Sequence, residues 1–204
     1  MKIDLHCHSY YSQDNRLDPR VVIARAIQLG LNGVCFTEHY SVDVSWPVEQ
    51  IDTPEDFVVL RGVEISTDLG HVLVYGVKDD GWNQWGRNTF LEFHKIAESV
   101  HEIGGLCVPA HPFRGWESVG EKIYSMGNID AVETHNGVNG PAQNRLAQEA
   151  QIKLAMPSIG GSDCHYPHQI GQAYTEFENL VTNVDDLVRE IAAARCKGCN
   201  LGAS

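Results

Sequence analysis

No stretch of eighteen consecutive apolar residues occurs in this chain of 204 residues, so the sequence offers no membrane-spanning helix. Basic residues are also few: 15 Lys and Arg stand against 27 Asp and Glu, for a formal charge of −12. A chain so acidic lacks the cationic face that extended nucleic-acid binding needs, because affinity there comes from counterion release. A nucleotide-sized ligand held by local cations stays open. The first residues lack the basic segment and apolar run of a secretory leader, and a cytoplasmic location is the expectation. The six cysteines (Cys7, Cys35, Cys107, Cys164, Cys196, Cys199) are scattered through a chain too long to need disulfide staples. Cys196-Lys197-Gly198-Cys199 has redox or zinc spacing, but no second such pair accompanies it and it lies at an end expected to fray. Linkers, repeats and low-complexity stretches are missing too, so residues 1–204 read as one domain. At 43% hydrophobic and 21% charged, the chain can bury a sizeable core.

What the chain does have is histidine, ten in all. Their positions become informative once the elements are laid out. Short apolar runs, bounded by Gly, Asp or His, predict strands at Ile3–Leu5, Gly33–Phe36, Val58–Val63, His71–Tyr75, Leu106–Pro109, Ala131–Glu133, Pro157–Ile159 and Ala173–Phe177. Helical patterns lie between them. One opens at Asp18-Pro19, carries Val22, Ala26 and Leu29 on one face, and stops at Gly30. Others span Thr89–Ile103, Ala142–Leu154 and Val184–Ala194. Strands alternating with helices predict an α/β chain with a mostly parallel sheet.

On that layout the acidic and imidazole residues fall at strand ends. His6 and His8 follow the first strand, Glu38-His39 the second, and Glu64 ends the third. His111 follows the strand at Leu106, and Asp163-Cys164-His165 follows Pro157–Ile159. In a parallel α/β barrel the strand C-termini share one rim, where active sites are built. His71 is the exception: it opens a strand, and needs a loop folded over the rim. In His6-Cys7-His8 and Asp163-Cys164-His165, side chains two apart on extended backbone point the same way, leaving Cys7 and Cys164 to the packing. Imidazole with carboxylate suits Zn, Mn, Fe or Ni, and the lack of in-phase thiols argues against a structural zinc site.

These residues resemble the polymerase-and-histidinol-phosphatase (PHP) domain, a superfamily of metal-dependent phosphoesterases. The resemblance rests on Asp4-Leu5-His6-Cys7-His8-Ser9 with Ser12 and Asp14, on Thr37-Glu38-His39, on Gly62-Val63-Glu64-Ile65-Ser66 and on Gly70-His71-Val72-Leu73. Ala110-His111-Pro112-Phe113-Arg114, Gly161-Ser162-Asp163-Cys164-His165 and the segment from Val132 to Asn144 complete it, nearly end to end. It implies a distorted seven-stranded β/α, TIM-like barrel. It also implies that His6, His8, Asp14, His39, Glu64, His71, His111, Asp163 and His165 ligate two or three divalent ions (Mn, Fe or Zn), with Glu64 as a bridge. Catalytic roles fall to Glu64, Asp163 and His165.

Such a centre is a cationic pocket in an acidic protein, suited to a small phosphorylated substrate. The expected activity is hydrolysis of phosphomonoesters or small phosphodiesters by a metal-bridging hydroxide. Arg114 is the candidate for a bidentate phosphate contact, with Arg16 a weaker one. Asn136 and His135 at a strand end, and His168 in a loop, are candidates to line the pocket. His94 and His101 are expected on the solvated face of their helix, and Trp46, Trp82, Trp85 and Trp116 in rim packing or pocket walls. Two other classes compete. One is a non-catalytic PHP module for metal binding or interaction. The other is a metal-dependent amidohydrolase acting on C–N bonds, for which a carboxylated Lys78 would bridge the metals.

Overall fold

The computed structural model describes residues 1–85 and 90–202. Strands β1 (Lys2–Cys7), β2 (Gly33–His39) and β3 (Val58–Thr67) pair in parallel. Helix α1 (Pro19–Gln28) crosses between the first two; the Asp18 side chain caps it by accepting from Arg20 N, with Pro19 in its first turn. Its buried face of Val22, Ile23 and Ala26 packs with Val34 and Phe36 of β2. After β3 the chain doubles back. Strand β4 (Gly70–Tyr75) runs antiparallel to β3, and β5 (Leu106–Pro109) antiparallel to β4, with α2 (Phe93–Glu102) between them in sequence. On the other side of β1 lie β8 (Ala173–Phe177) and β9 (Cys196–Asn200), both in antiparallel pairings and joined by α5 (Val184–Ala192).

The resulting order is β5-β4-β3-β2-β1-β8-β9, a sheet that curls into a half-barrel. Strands β6 (Val132–Asn136) and β7 (Ser158–Gly161) form a parallel pair linked by α4 (Pro141–Leu154) and close the open side. Asp130 N, ahead of β6, donates to Cys107 O of β5 at 2.9 Å. Beside β7, Asp163 N donates to His6 O at 2.6 Å, and Cys7 bridges Cys164 in parallel register. This is the distorted TIM-like α/β barrel expected from the sequence. A short α3 (Ile123–Met126) was not foreseen.

Three further departures have physical causes. The sheet is mixed, not mostly parallel: only Asp68 and Leu69 link β3 to β4, far too few for a parallel crossover. The antiparallel turn also removes the need for a loop carrying His71 to the rim. The start of β4 lies beside the end of β3, with His71 opposite Ser66. Second, Cys196–Cys199 does not fray but forms β9, and three positions along a strand reverse the face. Cys196 packs in the cluster with Ile159 and Phe177, Cys199 against that of Phe36 and Tyr174, so the two thiols are not a pair. Third, α2 begins at Phe93; Thr89, its expected start, lies outside the described residues. His94 and His101 are on its exposed side as expected, and Trp82 is buried, whereas Trp46 and Trp116 are exposed rather than packed. Among the described residues no helix is long and apolar enough to cross a membrane.

Closure of the barrel depends on one position without a side chain. A Cβ at Gly161 would lie 2.4 Å from both the backbone nitrogen and Cβ of His6. Gly161→Ala is therefore expected to lower unfolding free energy by about 1–3 kcal/mol, read as a reduced midpoint in urea unfolding. An unchanged midpoint would show that β7 does not sit this close to β1.

Candidate metal centre

All nine side chains that the sequence assigned to metal gather at the rim formed by the ends of β1, β2, β3 and β7, the start of β4 and the segment after β5. Glu64, buried at the end of β3, is the hub. Its Oε1 lies 3.1 Å from His71 Nδ1 and 3.2 Å from His111 Nε2. Its Oε2 lies 3.1 Å from His8 Nε2, 3.4 Å from His39 Nδ1 and 3.5 Å from His6 Nε2. Asp163 Oδ1 is 3.5 Å from Nε2 of both His6 and His8. Asp14 Oδ2, from the loop after β1, reaches His39 Nε2 at 3.1 Å and His165 Nε2 at 2.9 Å.

The partners on the far side of four of the rings indicate which nitrogen carries hydrogen. His6 Nδ1 meets Glu133 Oε1 at 2.8 Å, and a carboxylate only accepts, so Nδ1–H donates. Ser12 Oγ gives its hydrogen to Glu38 and must accept from His8 Nδ1–H, 3.0 Å away. Ser118 Oγ donates to His111 O and accepts from His111 Nδ1–H in turn. His165 Nδ1–H donates to Asp163 O at 3.0 Å. In their neutral forms, the Nε2 atoms of His6, His8, His111 and His165 therefore present lone pairs to carboxylates or to one another; the His6 and His8 pair stands 3.1 Å apart. Acceptors facing acceptors at this range need a proton on one of them or a metal ion between them. His39 Nδ1 adds a buried nitrogen without a hydrogen-bond partner, facing Glu64. Ion-sized groupings follow: His6, His8 and Glu64; Glu64, His71 and His111; and His8, His39 and His165. This nitrogen and carboxylate set fits divalent transition metals.

Comparison with known proteins gives the same reading. The profile of the PHP domain matches residues 4–117, and that of the PHP-associated domain residues 141–196. The chain belongs to the PHP domain family. Histidinol-phosphatase of Lactococcus lactis is 27% identical over 155 residues, covering 68% of this chain; the chain spans about half, 54%, of that enzyme. Among solved structures, PsfC from Pseudomonas syringae superposes with a TM-score of 0.78 at 18% identity, covering 98% of this chain and 91% of that one. A two-domain protein of Bacteroides vulgatus, described as containing a predicted PHP-like metal-dependent phosphoesterase, gives 0.71 at 18% identity, covering 98% and 65%.

The PHP rim also uses two carboxylates to which the sequence assigned no role. Glu133 and Glu38 are fully buried carboxylates that reach the rings indirectly or from behind. Glu133 Oε1 orients His6, while its Oε2 accepts from His111 N and from Asn136 Nδ2. Glu38 accepts from Ser9 N, Ser9 Oγ and Ser12 Oγ, and acts on His8 through Ser12. Their signal was present: a glutamate inside an apolar β-strand must have a buried partner. The backbone is strained at the same place, with φ of 31° at His111 and 54° at Asp163, values that side-chain-bearing residues rarely adopt.

The other candidates divide. Arg114 donates to Asp163 Oδ2 and Asn136 Oδ1 through one terminal nitrogen, and through Nε to Asn139 Oδ1 at 2.9 Å. That edge already holds protein partners, so Arg114 braces Asp163. Asn136 is buried and bonds Asp163, Glu133 and Arg114. His168 is exposed, stacked near Tyr166 and outside the donor cluster. His135 turns away toward Gln148. Lys78 stands beyond the opposite end of β4, two-thirds exposed and paired with Asp185 at 3.1 Å, so it supplies no bridge to this cluster.

Without metal, protons hold the PHP cluster together. Burial opposes charge on His165, but Asp14 and Asp163 outweigh it and raise its pKa to about 9. Burial likewise opposes charge on His6, His39 and His71, yet nearby carboxylates hold all three above the usual imidazole value. His8 is pushed below it by burial. An ion must therefore displace protons at pH 7, and apparent affinity rises with pH as these rings lose them. Calorimetric titration of metal-free protein with Zn(II), in two buffers of different ionisation enthalpy, is expected to show net proton release at pH 7. Equal heats in both buffers would contradict it. Separately, Glu133→Gln is expected to weaken metal binding about 10–100-fold, as loss of an outer carboxylate commonly does, in the same titration.

Proposed function

We propose that this chain is a metal-dependent phosphoesterase that hydrolyses phosphomonoesters or small phosphodiesters. The observation that carries the reading is Glu64, whose two oxygens reach five imidazoles drawn from β1, β2, the start of β4 and the segment after β5. One ion would be held by His6, His8, Glu64 and Asp163, a second by Glu64, His71 and His111, and a third by Asp14, His39 and His165, with His8 beside it. Mn, Fe and Zn all suit these donors. Bound divalent ions supply positive charge that activates water near neutral pH and offsets charge on phosphate oxygens.

The chain's own residues do the rest. Glu133, Ser12 and Ser118 keep the donor nitrogens aimed inward, so little reorganisation accompanies binding. Asp163, braced by Arg114 and Asn136, is held next to His6 and His8. In the reaction the water oxygen bonds to phosphorus, the ester P–O bond breaks, and the departing oxygen leaves with a proton. Histidinol-phosphatase activity in the Lactococcus lactis relative supports phosphomonoesters as the first substrates to try.

Metal content by mass spectrometry, on protein purified without chelator, and p-nitrophenyl phosphate hydrolysis before and after chelation test this together. Two or three ions per chain and chelator-sensitive turnover are expected. Protein that takes up no metal after reconstitution with Mn, Fe or Zn would overturn the proposal, and metal without turnover on a broad phosphoester panel would transfer it to the binding-module class.

A further inference from the structure

Beside the donor cluster opens a cleft of about 600 Å³, within the size range of small-molecule sites. Asp14 and His165, joined at 2.9 Å, form one wall, and Arg16, Leu17 and Tyr166 contribute much of the remainder. A molecule placed there touches two of the proposed metal-holding residues.

Tyr166 is 61% exposed, but its backbone is fixed. The amides of His165 and Tyr166 both donate to Gln169 Oε1, at 2.8 and 2.9 Å, and Gln169 N returns to Tyr166 O at 3.0 Å. The ring of His168 lies nearly parallel to that of Tyr166, at 17° and 6.0 Å between centroids. Arg16 has no ion-pair partner among the described residues, although acids outnumber bases by 12 in this chain. Among the described residues, the exposed aromatic side chains are Tyr10, Trp46, Phe90, Trp116 and Tyr166. Tyr10, Trp46, Trp116 and Tyr166 lie in the segments that follow β1, β2, β5 and β7, the strands whose ends carry donors. Phe90 adjoins Leu91, which bridges Thr67 at the end of β3. The ring of Tyr166, left in water in a cleft that it shares with an unpaired guanidinium, matches a planar ligand, which gains from stacking and cation–π contact.

We propose that Tyr166 and Arg16 form a leaving-group cleft that selects phosphoesters whose alcohol carries a planar, unsaturated ring. This inference rests on the phosphoesterase reading. The phosphate faces the donor cluster and the ring stacks with one face on Tyr166, its other face open to the Arg16 guanidinium; an aliphatic leaving group gains neither contact.

The test compares kcat/KM of metal-loaded protein on phenyl phosphate, a nucleoside 5′-monophosphate and glycerol phosphate, in wild type, Tyr166→Ala and Tyr166→Phe. Dividing each ring substrate by glycerol phosphate, and each variant by wild type, cancels differences in intrinsic reactivity. The ring preference is expected to fall about tenfold in Tyr166→Ala and to survive in Tyr166→Phe, with Arg16→Met falling in the same direction. Whether the phenyl or the nucleoside ratio falls further identifies the ring. Calorimetric binding of phenylphosphonate and methylphosphonate gives a readout apart from turnover, and only the former is expected to weaken in Tyr166→Ala. A ring preference unchanged in Tyr166→Ala, with phenylphosphonate binding also unchanged, overturns the cleft. No hydrolysis of any phosphoester by wild type, with phenylphosphonate binding still dependent on Tyr166, overturns the phosphoesterase reading and leaves the cleft as a ring-binding site.

Discussion

Buried negative charge with too little protein cation to meet it governs this structure. Asp4, Glu38, Glu64, Glu133 and Asp163 are all buried. Among the described residues Arg114 is the sole Lys or Arg side chain paired with any of them. An uncompensated buried ion costs several kcal/mol, so each carboxylate is met in another way. Asp4 accepts from the amides of His6, Ser162 and Gly171, although burial still raises its pKa to about 6. Glu38 accepts from two serines, and Glu133 from an imidazole, an amide and Asn136. Glu64 and Asp163 face mainly imidazole nitrogens, whose neutral forms add further lone pairs. The deficit is thereby concentrated at one rim, where protons meet it in the metal-free protein and divalent ions are proposed to meet it otherwise.

The mixed sheet serves this concentration. A parallel strand brings only its C-terminus to the rim, so each donor segment needs its own crossover. The β3–β4 hairpin supplies Glu64 from the end of one strand and His71 from the start of the next, across two linking residues. Local breaks in regular pairing occur at the same level: the register of β1 shifts between Asp4 and Cys7, and that of β6 between Glu133 and His135. Such bulges re-aim side chains that strict alternation would place elsewhere. His6 and Glu133, which bond one another, stand at these two irregularities.

Much of the donor set was legible because strand periodicity is short-range. His6 and His8 share a direction by strand spacing, and Glu64 and His111 close apolar runs; the same spacing picks out Asp163 and His165, although the left-handed backbone at Asp163 is what aims them here. What periodicity does not carry is the partner behind each ring. Glu133 reads as an ordinary strand residue, and Glu38 as a strand-end acid without a role, until the fold brings His6 and Ser12 against them from 127 and 26 positions away. The direction of β4 was legible in principle, since Asp68-Leu69 is too short for a helix, but the alternation of strands and helices elsewhere favoured a parallel sheet. Arg114 shows another limit: sequence places a cation after His111, but not the carboxylate and two amides that occupy it.

Closure of the barrel also orders events in time. Ser162 N reaches Asp4 Oδ1 across 158 positions of chain, and Asp163 N bonds His6 O beside it. Contacts of such separation form after local ones, because loop-closure entropy must be overcome first. The half-barrel from β1 to β5 can assemble its own hydrogen bonds while the β7 segment is still unattached, but Asp163 and His165 join the cluster only when that segment docks. A nascent chain can therefore bring together the segments that carry His6, His8, Asp14, His39, Glu64, His71 and His111 before Asp163 and His165 dock.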